Sequence, residues 1–204
     1  MLLIGLTGSI GMGKSAAAAR FRLHQVPVVD ADAVVHALYC GEAAAPIEAA
    51  FPGATLAGQV DRQRLSAQLL AKPEGFKTLE RIVHPLVQAA ERRALVQAKA
   101  DGVPMAVLEI PLLFETGGDK KVDVTVVVSA PADIQRQRVL ARPSMTAAKL
   151  DAILARQMSD ADKRARADFV VDTSGELATT HAQIDAIIVS LRGRTGQAFA
   201  AFWE

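Results

Sequence analysis

The sequence predicts an α/β fold in which helices cover both faces of a five-stranded parallel sheet. Two observations predict it. Short, β-branched apolar runs alternate with longer amphipathic ones, and the apolar runs are continuous, as strands buried on both faces require. A glycine-rich turn, GSIGMGKS at residues 8–15, joins the first apolar run to the first amphipathic one.

In order, Met1–Leu6 reads as the first strand and Gly13 to about Leu23 as an alanine-rich helix. Val26–Val29 is the second strand, ending at Asp30, and Ala33–Tyr39 a helix with Asp32 at its start. Pro104–Ile110, Val122–Val128 and Phe169–Val171 supply the remaining strands. Roughly seventy residues separate the second strand from the third, far more than one crossover helix needs. Within them Asp61–Leu70 places Leu65, Leu69 and Leu70 on one helical face, and a helix from about Pro73 spaces Phe76, Leu79 and Val83 by three and four. His84-Pro85 is expected to break or kink that helix, because proline lacks the amide proton and crowds the preceding turn; Leu86–Ala100 then resumes it. Residues 57–103 are therefore expected to form a helical insertion in a single domain spanning 1–204.

Half of the 204 residues are hydrophobic, enough for a sizeable core. With 23 basic and 22 acidic residues the net charge is +1, which calls for neither nucleic acid nor membrane as a partner. Cys40 is the only cysteine, so no internal disulfide forms; this favours a reducing cytoplasm. The apolar start lacks the basic segment and cleavage site of a secretory signal, and no window approaches the ~18 apolar residues of a membrane span.

Gly8, four residues, then Gly13-Lys14-Ser15 complete a phosphate-binding P-loop in the right strand–helix context. The fold narrows to a P-loop NTPase-type three-layer sandwich. Gly8, Gly11 and Gly13 are expected to adopt positive φ and let the backbone approach the phosphates. Loop amides and the helix N-terminus present positive partial charge to the anion. Lys14 adds a full charge at the β- and γ-phosphates of ATP, and the Ser15 hydroxyl ligates Mg²⁺. The glycine spacing is not GxGxxG, which argues against a dinucleotide fold.

In such a sheet the second strand ends beside the phosphates. Asp30 and Asp32 then enter the site, to accept a hydroxyl proton or hold a metal-bound water; for Asp32 an N-cap role is the other reading. Between Ile134 and Arg166 eight basic residues stand against three acidic ones, either a solvated helix face or cations for a polyphosphate. Arg138 and Arg142 are four apart, which puts both on one helix face and suits a single phosphate group.

IGLTGSIGMGKS, VVDAD, VDRQRL, IVHPLV, IPLLFE and the QRQR helix leading to Arg142 follow in order from Leu3 to about Asp172. Together they resemble the dephospho-CoA kinases. The resemblance implies ATP-dependent phosphorylation of the ribose 3′-hydroxyl of dephospho-CoA, the last step of coenzyme A synthesis. It implies Asp32 as general base, Gly11–Ala16 (hence Met12 and Ala16) as the ATP-binding stretch, and Thr7 at the catalytic centre. It also implies Arg142 as a lid arginine, residues 138–160 as the lid, and Arg62, His84, Leu112 and Glu115 on the acceptor side. The inserted helices become the CoA-binding part. Local readings stand beside these: His84 satisfying a helix end, an Asp61–Arg62 surface pair, and Leu112–Phe114 as core. Glu115 either orients an arginine or holds a ligand amide.

The chain departs from the family pattern at Ser9, Met12, Ala16 and Thr173, where glycine, serine, threonine and asparagine are usual. Ala16 lacks a hydroxyl that would touch the α-phosphate. A nucleoside monophosphate kinase shares the core, but the long insertion and the His84-Pro85 pair favour the CoA-type acceptor. A GTPase switch would carry Asn-Lys-x-Asp, which is absent. Glu109 is open between a second metal-site acid and an edge residue, and Phe199, Phe202 and Trp203 between docking on the core and contacting another chain.

Overall fold

The computed structural model describes residues 1–204. The chain runs β1 (Leu2–Thr7), α1 (Lys14–Leu23), β2 (Val28–Asp30), α2 (Ala31–Tyr39), α3 (Ala44–Ala50), β3 (Thr55–Leu56), β4 (Gln59–Val60), α4 (Arg62–Ala71) and α5 (Gly75–Ala100). It continues through β5 (Met105–Glu109), β6 (Val124–Ser129), α6 (Ala132–Leu140), α7 (Ala147–Leu154), α8 (Asp160–Arg166), β7 (Phe169–Asp172), α9 (Leu177–Leu191) and α10 (Ala198–Phe202). Two compact units result: Met1–Val29 with Leu95–Glu204, and Asp30–Ala94.

The five-stranded sheet has the order β2-β5-β1-β6-β7, and β1 lies parallel between β5 and β6. Alternation along β1 sets the layers of the first unit. Leu2, Ile4 and Leu6 join Phe21 of α1 and Ile184, Ile187 and Leu191 of α9 in one core. Leu3 turns the other way, onto Leu95 of α5 and Phe199 and Trp203 of the C-terminal segment. Phe21 is fully buried, which contributes about 2–3 kcal/mol. The three-layer sandwich expected from the sequence is therefore present, with each strand within two residues of its expected ends.

The tail docks on its own chain. Asp123 accepts the amides of Gln197 (2.7 Å) and Ala198 (2.9 Å) through one oxygen and that of Leu3 (2.8 Å) through the other. This caps α10 and ties it to β1. Trp203 Nε1 donates to the Lys121 carbonyl at 2.9 Å; Phe199 and Trp203 are buried and Phe202 is exposed.

The second unit packs α2, α3, α4 and the first part of α5 around Leu38, Ile47, Phe51, Leu65, Leu69 and Val83. Aspartates start two of its helices: Asp30 accepts the Asp32 and Ala33 amides, and Asp61 those of Gln63 and Arg64. Glu48 accepts the Gly53 amide and both the amide and hydroxyl of Thr55, holding the hairpin β3–β4 against α3. Those bonds hold the Glu48 carboxyl below its ordinary range. The sequence reading did not foresee this hairpin.

Two expectations need correcting here. Pro85 does not break α5, which runs unbroken from Gly75 to Ala100. Proline removes one amide donor, and Pro85 and Arg81, whose carbonyl loses that partner, are both exposed. His84 thus lies inside a helix, not at the end of one.

Candidate active site

The phosphate loop connects β1 to α1. Gly11 and Gly13 take left-handed φ of 79° and 84°, as expected. Gly8 does not, and its requirement is space: a Cβ there would lie 2.6 Å from the Val128 carbonyl oxygen. Ile10 is held at both backbone groups, its carbonyl accepting from Gln135 Nε2 at 2.8 Å and its amide donating to Gln157 Oε1 at 3.3 Å. Met12 is a core residue. It is 2% exposed, and its Sδ accepts the Ala130 amide at 3.0 Å. Its side chain is therefore held in the core beside β6.

Lys14 Nζ lies 3.2 Å from Glu109 Oε1. Glu109 ends β5, a strand flanked by β2 and β1, and its side chain is 5% exposed. It is not an edge residue. A buried carboxylate needs a cation beside it, and Lys14 supplies one, with Arg22 Nη2 at 3.9 Å. The sequence marks only Glu109 itself, as an acid closing an otherwise apolar strand; its pairing with Lys14 is made by the fold, which sets β5 beside β1.

Thr173, after β7, donates through Oγ1 to the Met12 carbonyl at 3.0 Å, locking β7 to the loop. Arg138 grips the same residue, with Nη1 3.2 Å from Thr173 Oγ1 and Nη2 2.6 Å from its carbonyl. Arg142 does not share the α6 face with Arg138, because the helix stops at Leu140. It sits exposed in the following turn, its amide bonded to the Val139 carbonyl, just before Ser144 at φ 63°. A cavity of about 350 Å³ opens beside the loop, lined by Met12, Ser129, Pro131, Gln135, Arg164 and Asp172.

The Pro111–Glu115 segment follows β5. Leu113 is fully buried and covers Gly5 of β1, while Leu112 is 37% exposed. Glu115 points inward. Its Oε1 accepts the Met158 amide at 2.7 Å and lies 3.0 Å from Lys163 Nζ. Burial pushes the Glu115 carboxyl up, but the amide and the ammonium outweigh it and hold the group below its ordinary range. Thr7 is also buried, its hydroxyl donating to the Pro111 carbonyl at 3.1 Å.

The other predicted residues belong to the second unit. Asp32 is exposed in the first turn of α2. Asp30 occupies the cap, so the N-cap reading of Asp32 fails and its carboxylate is left for other work. His36 and Tyr39 follow Asp32 along one face of α2 at helical spacing. Arg62 meets that face, its guanidinium 5.5 Å from the centre of the Tyr39 ring and 3.4 Å from His36 Nδ1. Asp61 pairs with Arg64 rather than Arg62. Burial raises the Tyr39 hydroxyl and Arg62 opposes that rise. His36 and Tyr39 were missed, and neither has a sequence signal apart from its spacing from Asp32. His84 is exposed on α5.

The donor set fits Mg²⁺. That ion takes oxygen ligands, keeps waters, and usually needs one or two protein oxygens beside substrate phosphates. Ser15 presents an exposed hydroxyl in the first turn of α1, and Glu109 is a carboxylate beside Lys14.

A family model described as dephospho-CoA kinase matches residues 2–179. A dephospho-CoA kinase of Rhizobium meliloti (strain 1021) is 55% identical over 192 residues, covering 94% of this chain and 99% of the relative. One of Rhodopseudomonas palustris (strain ATCC BAA-98 / CGA009) is 57% identical over 188 residues, covering 92% and 94%. A crystal structure of a Thermus thermophilus protein aligns with a TM-score of 0.80 at 35% identity, over 94% of this chain and 98% of that one. Dephospho-CoA kinase from Campylobacter jejuni shares the fold, with a TM-score of 0.71 at 22% identity over 93% and 96%. A complete P-loop on a parallel sheet, the ordered motifs and relatives matched along nearly their whole length agree: this chain belongs to the dephospho-CoA kinase family.

Proposed function

We propose that this protein transfers the γ-phosphate of ATP to the ribose 3′-hydroxyl of dephospho-CoA, giving coenzyme A and ADP. The observation that carries the reading is the Lys14–Glu109 pair, set at 3.2 Å where the phosphate loop meets the sheet. ATP lies with its phosphates against the loop amides and Lys14. Ser15 would hold Mg²⁺, with the Glu109 carboxylate available to its waters, and the ion would supply charge neutralisation at the phosphates. The acceptor oxygen attacks the γ-phosphorus, an O–P bond forms, and the bond to the β–γ bridging oxygen breaks to release ADP. Asp32 takes the hydroxyl proton. Arg142 and Arg138 add positive charge to the phosphates, and residues 138–160 act as a lid that excludes water.

Thr7, Arg62, His84, Leu112 and Glu115 serve the acceptor side. For Arg62 the support is its position on the Asp32 face of α2. For Thr7 and Glu115 the inward geometry supports a role in shaping that side. The insertion 57–103 is assigned to CoA binding and the cytoplasm to the protein's location. No helix is long and apolar enough to cross a membrane.

ADP release with and without dephospho-CoA tests the reading. We expect acceptor-dependent release that falls roughly hundredfold or more in Asp32→Asn, the scale of a general base. Turnover indifferent to dephospho-CoA, but driven by a nucleoside monophosphate, would sink the acceptor assignment.

A further inference from the structure

The basic stretch from Ile134 to Arg166 contains one cation with no exposed surface, Lys163 on α8. An ammonium is costly to bury unless partners surround it. The Lys163 Nζ lies 3.0 Å from Glu115 Oε1 and donates to the Pro111 carbonyl at 3.3 Å. Each of these partners holds something else. The Pro111 carbonyl also accepts from Thr7 Oγ1 at the end of β1, at 3.1 Å. Glu115 Oε1 also accepts the Met158 amide at 2.7 Å. Next to Met158, Gln157 accepts the Ile10 amide of the phosphate loop at 3.3 Å.

These contacts close a ring. It runs from Thr7 along the loop to Ile10, across to Gln157 and Met158, then through Glu115 and Lys163 to Pro111 and back to Thr7. Lys163 is the member that holds both ends of the Pro111–Glu115 segment with one charged group. The second oxygen of Glu115, Oε2, is buried without a hydrogen-bond partner, so this carboxylate depends on the ammonium beside it.

We propose that Lys163 is a positioning residue for nucleotide binding: its ammonium clamps Pro111–Glu115, which sets Gln157, whose side chain fixes the phosphate loop at Ile10. The inference rests on the ATP-dependent reading above. A purely structural lysine would alter stability and leave ATP affinity unchanged in molecules that remain folded. A clamp passes its loss to ATP through Gln157.

The test uses the full chain and calorimetric titration with Mg-ATP, below the melting transition of every variant. Lys163→Met alone would strand a buried carboxylate, so the pair is removed together as Glu115→Gln with Lys163→Met. Gln157→Ala breaks only the link to Ile10. We expect the pair variant and Gln157→Ala each to weaken ATP binding about fivefold to tenfold, the net scale of one hydrogen bond. The triple variant should bind no more weakly than the pair variant, because both changes act through one contact. Unchanged ATP affinity in the folded pair variant, or effects that multiply in the triple variant, would overturn the clamp. If the pair variant does not fold, unchanged affinity in Gln157→Ala alone overturns it. Wild-type protein that binds no ATP would overturn the kinase reading as well. Wild-type protein that binds ATP but ignores dephospho-CoA would overturn only the acceptor assignment and leave the clamp to be decided by the same titrations.

Discussion

At Gly8 a single hydrogen atom decides whether the loop can follow the strand. The Val128 carbonyl that a Cβ would meet at 2.6 Å is backbone of β6, and backbone cannot swing aside as a side-chain tip can. Gly8→Ala is expected to destabilise the protein by roughly 1–3 kcal/mol, the usual cost of overpacking, read from a denaturant midpoint. Asp185 makes a different kind of prediction. Arg20 forks onto its carboxylate and His24 Nε2 lies 2.8 Å away, joining α9 to α1. The Arg20 hydrogen bonds, above all, hold the Asp185 carboxyl down to about 2 from an ordinary 3.8. A depressed carboxyl stabilises the fold above its unfolded value and loses that contribution as pH falls through the folded one. The melting-temperature gap between wild type and Asp185→Asn should therefore be open at pH 3.8 and above and close as pH drops to about 2. A gap that persists at the acid end would refute this.

At the scale of elements, the β3–β4 hairpin turns on Ala57-Gly58, at φ 50° and 77°. A two-residue turn with both φ positive prefers Asn-Gly, and alanine is a poor first member. Ala57→Asn should raise stability by about 0.5–1 kcal/mol, measurable as a higher melting temperature. The same hairpin shows where the sequence was silent. Its strands are two residues each, too short for any periodicity to register. The sheet strands were legible because burial on both faces makes them continuous apolar runs, as in VTVVVS of β6. Pro85 misled because the rule about proline concerns the loss of one bond, and an exposed position on a 26-residue helix tolerates that loss. Arg138 and Arg142 misled because spacing implies a shared face only while the helix lasts. The loop of the candidate site was legible because a P-loop is contiguous. The Lys14–Glu109 pair and the Lys163 ring were not, because they join residues 95 and 52 positions apart in the chain.

At the scale of the whole molecule, the C-terminal segment is part of the core rather than an appendage. Removing residues 197–204 would uncover the Leu3 face of the sheet and strip two amides from Asp123. The loss of Phe199 and Trp203 alone is worth roughly 3–6 kcal/mol at the usual return for large apolar side chains. The truncated chain should melt well below the full one, and equal melting temperatures would show the tail to be dispensable. Trp203 has one more consequence. It is the only tryptophan, fixed in one compact unit, and Cys40 is the only cysteine, exposed in the other. The natural sequence is thus already wired for optical distance measurement. A thiol-reactive acceptor dye on Cys40 would read the emission of Trp203 by energy transfer, and a titration of ATP or dephospho-CoA would follow the two units against each other without a single substitution.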